Sequence, residues 1–255
     1  MYITNNYRNA VLGIDLGYAK HPSALCLLTE VEQTRSPYTW IDPTHPKTLQ
    51  WVVSYAKVIP PGTFFTEIAR YSAAIAANFK RQHPKANLYI VPDSTGLGRS
   101  IVELLYQAKK AHSTPTGHLE GLIFTGGHQH SVQKHTNYSI DIYNVPKLTL
   151  LNSLTLAIES GLLKIPANLP ERETLLAQLA ALEVHYPSKS NGARGPAATQ
   201  AGLDTGNNRA PIVRLNPDAL RENPTTLAHA DLVMSLAIAT WRLQHKQRAS
   251  IKLLS

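Results

Sequence analysis

Ala10-Val11-Leu12-Gly13-Ile14-Asp15-Leu16-Gly17 decides how this chain is read: an apolar run of strand type stops at a carboxylate, and a glycine follows within two residues. The charge is therefore delivered to the edge of a sheet. The device recurs downstream. Leu88-Tyr89-Ile90-Val91 is a short β-prone run, and Pro92-Asp93-Ser94-Thr95-Gly96-Leu97-Gly98 turns out of it into an amphipathic stretch from Arg99 to Ala111. A third acid, Asp231, precedes Leu232-Val233-Met234-Ser235-Leu236-Ala237-Ile238-Ala239-Thr240-Trp241, which reads as a largely buried helix. A first helical turn favours an acid on electrostatic grounds alone, so Asp231 gains its weight from the other two.

Working outward, Leu12 to Val31 reads as a hairpin turning at Gly17-Tyr18-Ala19-Lys20-His21-Pro22, and Trp51 to Ile59 as a third strand stopped by Pro60-Pro61-Gly62. Phe64, Ile68, Tyr71, Ile75 and Phe79 recur at helical spacing, which predicts an amphipathic helix over 63–82 with Thr63 as its cap. After the strand to Asp93 and the helix behind it comes another strand, Leu122 to Thr125. This β-β-β-α-β-α-β order predicts an α/β fold with a mixed sheet covered by helices on both faces. Further helices are expected over 146–159, opening with a proline, and over 171–182. Short strands are expected at 162–165 and 212–215. Residues 188–211 are rich in Gly, Ser, Asn, Ala and Thr and read as a flexible insertion in a single domain spanning 1–255.

With 255 residues and 43% hydrophobic content the chain can bury a substantial core. No apolar run has the length of a membrane span, and the polar stretch Met1 to Asn9 does not read as a signal peptide. One cysteine, Cys26, excludes an internal disulfide and a cysteine-built zinc site, and cytoplasmic residence is the default expectation. Lys and Arg number 25 against 17 Asp and Glu, a net charge of +8, which favours polyanionic partners. A basic chain that nevertheless gathers acids at strand ends points to a divalent cation held between those acids and a phosphate backbone.

Several blocks, in order along nearly the whole chain, resemble the nuclease domain of phage large terminase subunits, a branch of the RNase H-like superfamily. They are Gly13-Ile14-Asp15-Leu16-Gly17 with His21-Pro22-Ser23-Ala24, Val91-Pro92-Asp93-Ser94-Thr95-Gly96-Leu97-Gly98-Arg99, and Thr125-Gly126-Gly127. Val145-Pro146-Lys147, Gly161-Leu162-Leu163-Lys164-Ile165-Pro166 and His229-Ala230-Asp231-Leu232-Val233 continue the series. The resemblance implies an RNase H-like sheet and two-metal hydrolysis of double-stranded DNA, with Mg²⁺ or Mn²⁺ ions roughly 4 Å apart. It further implies Asp15, Asp93 and Asp231 as catalytic ligands, with Asp15 bridging the ions and His229 as a supplementary ligand. Lys147, Arg99, Arg242 and Lys246 become candidates for gripping DNA. It also implies the cytoplasm of a bacterial host, with a separate packaging ATPase, a small terminase subunit or a portal as partners.

Two departures matter. Where the family has adjacent aspartates this chain has Ala230-Asp231, and nothing in it matches the G-x-x-x-x-G-K-[ST] loop of the family's ATPase motor. Rival readings are a Holliday-junction-resolvase-like nuclease and a catalytically weakened DNA-binding or assembly module of the same fold. An actin-like kinase shares the glycine-flanked Asp15 hairpin, but needs two such domains to close over a nucleotide. His128, His130 and His135 lack the spacing of a zinc site.

Overall fold

The computed structural model describes residues 2–17, 20–36, 46–112, 116–126, 130–135, 138, 140–185, 212–215 and 230–252. The expected insertion at 188–211 lies outside them. Three long strands, β1 (Tyr2–Asp15), β2 (Ser23–Ser36) and β3 (Lys47–Ile59), form an antiparallel meander. Helix α1 (Phe65–Gln82) then crosses over to β4 (Asn87–Pro92), which runs parallel to β1. A 3-10 turn (Gly96–Gly98) and α2 (Arg99–Lys110) lead to the two-residue β5 (His118–Leu119), parallel to β4. The sheet order β5-β4-β1-β2-β3 is that of the RNase H-like fold, extended at its far edge by β9 (Leu163–Lys164).

The polar stretch before Ala10 is not a tail. It continues β1, because polar cross-strand pairs hold the outer hairpin in register: Gln33 donates to Asn5 at 3.0 Å, and Glu32 pairs with both Arg8 and Lys47. Thr63 does not cap α1. Its hydroxyl donates to the Pro60 carbonyl, and the helix opens after Phe64 with no side-chain cap.

Beyond Glu120 a second sheet, β6 (Gly121–Thr125), β8 (Asp141–Pro146) and β7 (Ser131–Lys134) in that order, flanks the first. It is joined to it by a parallel bridge from Asp93 to Leu122. Strand β8 delivers α3 (Lys147–Glu159), so Pro146 ends a strand instead of opening the helix. Helix α4 (Arg172–Ala180) is shorter than expected, because Leu182 already belongs to β10 (Leu182–His185), which pairs with β11 (Ile212–Leu215). Helix α5 (Asp231–Lys252) closes the described chain. Among the described residues no helix is long and apolar enough to cross a membrane.

Alternation along the strands divides the core. Ala10, Leu12, Ile14, Leu88 and Ile90 pack with Ile68 and Phe79 of α1 and with Ile101 and Leu105 of α2. Val11 and Val91 face the other way, among Leu150 and Leu154 of α3, Leu175 of α4 and the apolar side of α5. Helix α5 lies directly on β1, and Gly13 is the reason it can. A Cβ at that position would stand 2.1 Å from the Ser235 carbonyl oxygen, far inside any permitted contact.

Candidate active site

Strand parity sets the first two acids. Val11, Gly13 and Asp15 point to the α5 face of β1, and Tyr89, Val91 and Asp93 to the same face of β4. The parallel register runs to Ile14 opposite Pro92, and the Asp93 N–H donates to the Ile14 carbonyl at 2.8 Å. Asp15 and Asp93 are thus neighbours on adjacent strands, about 5 Å apart in backbone spacing. The third acid arrives by helix geometry. Ser235, seated on Gly13, lies one turn in from Asp231, a rise of about 6 Å. That matches the two-residue reach from Gly13 to Asp15, about 7 Å along the strand. Asp231 is therefore level with the strand ends.

The electrostatics report this convergence. Burial holds the Asp15 carboxyl well above the ordinary range, and the charges of Asp93 and Asp231 raise it further. The Lys147 ammonium and the Leu16 backbone N–H act in the opposite sense. Burial also raises Asp93, against hydrogen bonds from the Thr95 side chain and backbone and the charge of Lys147. Asp231 is pushed up to about 7 by burial, with Lys147 again opposing. The mutual repulsion is expressed at Asp15 because the last of several coupled acids to ionise does so against charges already formed.

Lys147 is thus the cationic member of the site. It occupies the first position of α3, where the helix dipole disfavours a cation, and the three carboxylates offset that cost. Its Nζ also lies 5.9 Å from the Phe124 ring centre. Strand β8 places it, by pairing Pro146 with Thr125 of β6.

Supporting contacts fix the acids in place. Asp93 Oδ1 accepts from the Thr95 N–H at 2.8 Å, and the Thr95 hydroxyl accepts from the Phe124 N–H at 2.9 Å, tying the turn to β6. Gly98 lets the 3-10 turn fold back, since a Cβ there would sit 2.4 Å from the Asp93 carbonyl oxygen. The N-terminus of α5 is capped from α4. The buried Gln178 side chain accepts from the Leu232 and Val233 N–H groups at 3.1 and 3.3 Å. No sequence signal marks this residue, 53 positions before the acid it serves. Gln178→Ala strands two buried donors and is expected to lower stability by about 1–3 kcal/mol. Urea unfolding with an unchanged midpoint would show that the cap contributes nothing.

The donor set suits a hard divalent cation such as Mg²⁺ or Mn²⁺ in kind: carboxylate oxygens that repel one another. In geometry it stands open. Among the described residues no group of three or more His, Cys, Asp or Glu side chains stands in an arrangement that could hold a metal ion.

The remaining candidates fare differently. Arg242 is not a surface contact for DNA. It is buried, its guanidinium bonded to the equally buried Glu120 and stacked 4.4 Å over Tyr89, so it has no face to offer a phosphate. His229 lies outside the described residues, as do the side chains of Arg99 in the first turn of α2 and Lys246 in α5. Ala230 packs in a small apolar nest with Ala177, Ala181 and Leu182. Of the described histidines, His135 lies 3.9 Å from Glu103 while His130 meets the His245 ring, and His128 lies outside the described residues.

No protein-family model matches the chain, and no curated protein matches it. Among solved structures it is similar to the Mn-soaked human cytomegalovirus terminase nuclease domain, at 14% identity and a TM-score of 0.40, over 91% of this chain and 81% of that one. A second structure of the human cytomegalovirus terminase nuclease domain is 13% identical with a TM-score of 0.43, over 69% and 74% of the two chains. These are likenesses in outline, and any assignment of activity rests on the side chains.

Proposed function

We propose that this chain is a metal-dependent DNA endonuclease in which Asp15, Asp93 and Asp231 hold the metal and Lys147 assists. The supporting observation is the convergence of three carboxylates from two parallel strand ends and a helix start, each raised by burial and each acting on, or acted on by, Lys147. Two divalent ions bound there would supply a water of lowered pKa and positive charge at the departing oxygen. Asp15, between the other two acids, is the natural shared ligand. Lys147 keeps positive charge beside the carboxylates, where it can meet a phosphate oxygen. The net charge of +8 favours association with duplex DNA. Processing of phage DNA in a bacterial cytoplasm, alongside a separate packaging ATPase, small terminase subunit or portal, belongs to the same proposal.

Purified protein is expected to nick or cut duplex DNA with Mn²⁺ better than with Mg²⁺, and not at all once the ions are chelated. Folded protein that cuts with no divalent ion tested, or that cuts equally well after chelation, sinks the assignment.

The Ala230 departure raises a second reading, a weakened DNA-binding module, which the packing of Ala230 opposes. The apolar nest around Ala230 argues that its side chain faces α4 and not the acids. Ala230→Asp is therefore expected to bring no gain in cutting and some loss of stability. A large gain in activity would instead identify the natural protein as a weakened nuclease.

A further inference from the structure

The opposite end of the sheet carries a cavity of about 530 Å³ where the start of β4 meets the C-terminal end of α2. Asn87 and Leu88 line it, so it lies a full strand length, about 20 Å, from Asp93. Lys80, Lys109, Lys110, His112 and His118 also line it, and no acid does among the described residues. The three lysines bring ammonium groups together at one cavity, where a bound anion would answer them.

Two of the ammonium groups are fixed in place, unlike free surface lysines. Lys80 donates to the Pro84 and Ala86 carbonyls, each at 2.7 Å, and Lys109 donates to the Gly117 carbonyl. An ammonium has three protons to give, so one on Lys80 and two on Lys109 remain unused among the described residues. Burial pushes Lys109 below the ordinary lysine range, a cost that a neighbouring anion removes. Lys110 lies 4.5 Å from the Tyr106 ring centre, which gives the cavity an aromatic wall beside a third cation.

We infer that this cavity binds a phosphomonoester, carried either by a free nucleotide or by the 5′ end of a nucleic-acid strand, with Lys80, Lys109 and Lys110 taking the phosphate. A duplex interior is too broad for a cavity of this size, whereas a chain end or a mononucleotide fits it. The dianion of a monoester also answers several ammonium groups better than a diester does. The inference is independent of the nuclease reading, since it shares no residue with the three acids.

Calorimetric titration of the full chain in metal-free buffer tests it, with adenosine monophosphate, adenosine, and 5′-phosphorylated and 5′-hydroxyl forms of one short oligodeoxynucleotide. Saturable binding of adenosine monophosphate but not adenosine is expected. Lys80→Gln with Lys110→Gln should weaken it at least about tenfold, in keeping with loss of charged hydrogen bonds. Lys110→Gln alone should still weaken it, and it leaves both loop-fixing lysines intact. Lys57→Gln, on β3, should leave the affinity unchanged, and so should Asp15→Asn, which separates this site from the catalytic edge. Preference for the phosphorylated oligonucleotide over the nucleotide would identify the strand end as the source of the phosphate. Adenosine binding as well as its monophosphate, or the Lys110→Gln variant binding as tightly as the natural protein, overturns the inference.

Discussion

Asp15→Asn is expected to reduce DNA cleavage by on the order of a thousandfold or more, and at the same time to make the metal-free protein more resistant to heat. Both effects have one cause. Asp15 is buried and also carries the repulsion of Asp93 and Asp231, so its folded form holds a proton more tightly than the unfolded chain does. An acid raised in this way contributes stability that is fully present below the ordinary carboxylate range. That contribution is lost as the pH climbs through the raised values, Asp231 at about 7 among them. Without metal, the melting temperature of the natural protein should therefore fall as the pH is raised from the ordinary carboxylate range to about 8. The Asp15→Asn substitution removes one of the three repelling charges, so the fall should be shallower and the melting point at the alkaline end higher. Added Mn²⁺ should raise the melting point of the natural protein there and do far less for the variant. A variant that cuts DNA as well as the natural protein removes Asp15 from the chemistry. A natural protein whose melting point rises steadily across that range without metal contradicts the electrostatic account of the site.

The strand-end positions of Asp15 and Asp93 were legible because each depends on a local pattern. An apolar run ending in Asp followed by glycine is a strand end whether or not its neighbours are known, and both Asp15 and Asp93 sit at such points. The β-β-β-α-β order likewise fixed the meander and crossover, since short antiparallel turns and helical crossovers leave few other topologies. What sequence could not supply was set by contacts between distant segments. Strand β8, which aims Lys147, alternates too weakly to stand out before its pairing with β6 is known. The long outer hairpin is polar and owes its register to cross-strand partners. Gln178 works only because α4 packs beneath the start of α5. Arg242 is the instructive failure. A run of basic residues at the end of a helix reads as a solvated or DNA-facing tail, yet a 22-residue helix lying on a sheet turns Arg242 inward, and the matching acid stood 122 positions away.

Arg242→Ala follows from that correction and should cost about 3–5 kcal/mol, because it leaves the Glu120 carboxylate buried without its partner. A domain stable by only about 5–15 kcal/mol would lose a large share of its margin. The guanidinium also fills space between Tyr89 and Tyr143, 4.4 and 5.6 Å from their ring centres, so packing is lost with the charge. Replacing both partners together, Glu120→Leu with Arg242→Met, should recover most of the loss, since apolar side chains of similar volume carry no desolvation cost. The pair is remote from the chemistry: Arg242 lies eleven residues along α5 from Asp231, about 16 Å. Cleavage per folded molecule should therefore persist in either variant at low temperature. Denaturant unfolding and DNA affinity separate this account from a surface role. If Arg242 gripped DNA, the alanine variant would keep its unfolding midpoint and lose affinity, and the double replacement would be no better. The buried pair requires the reverse: a large drop in midpoint for the single change, recovery in the double, and little change in DNA affinity for the folded protein.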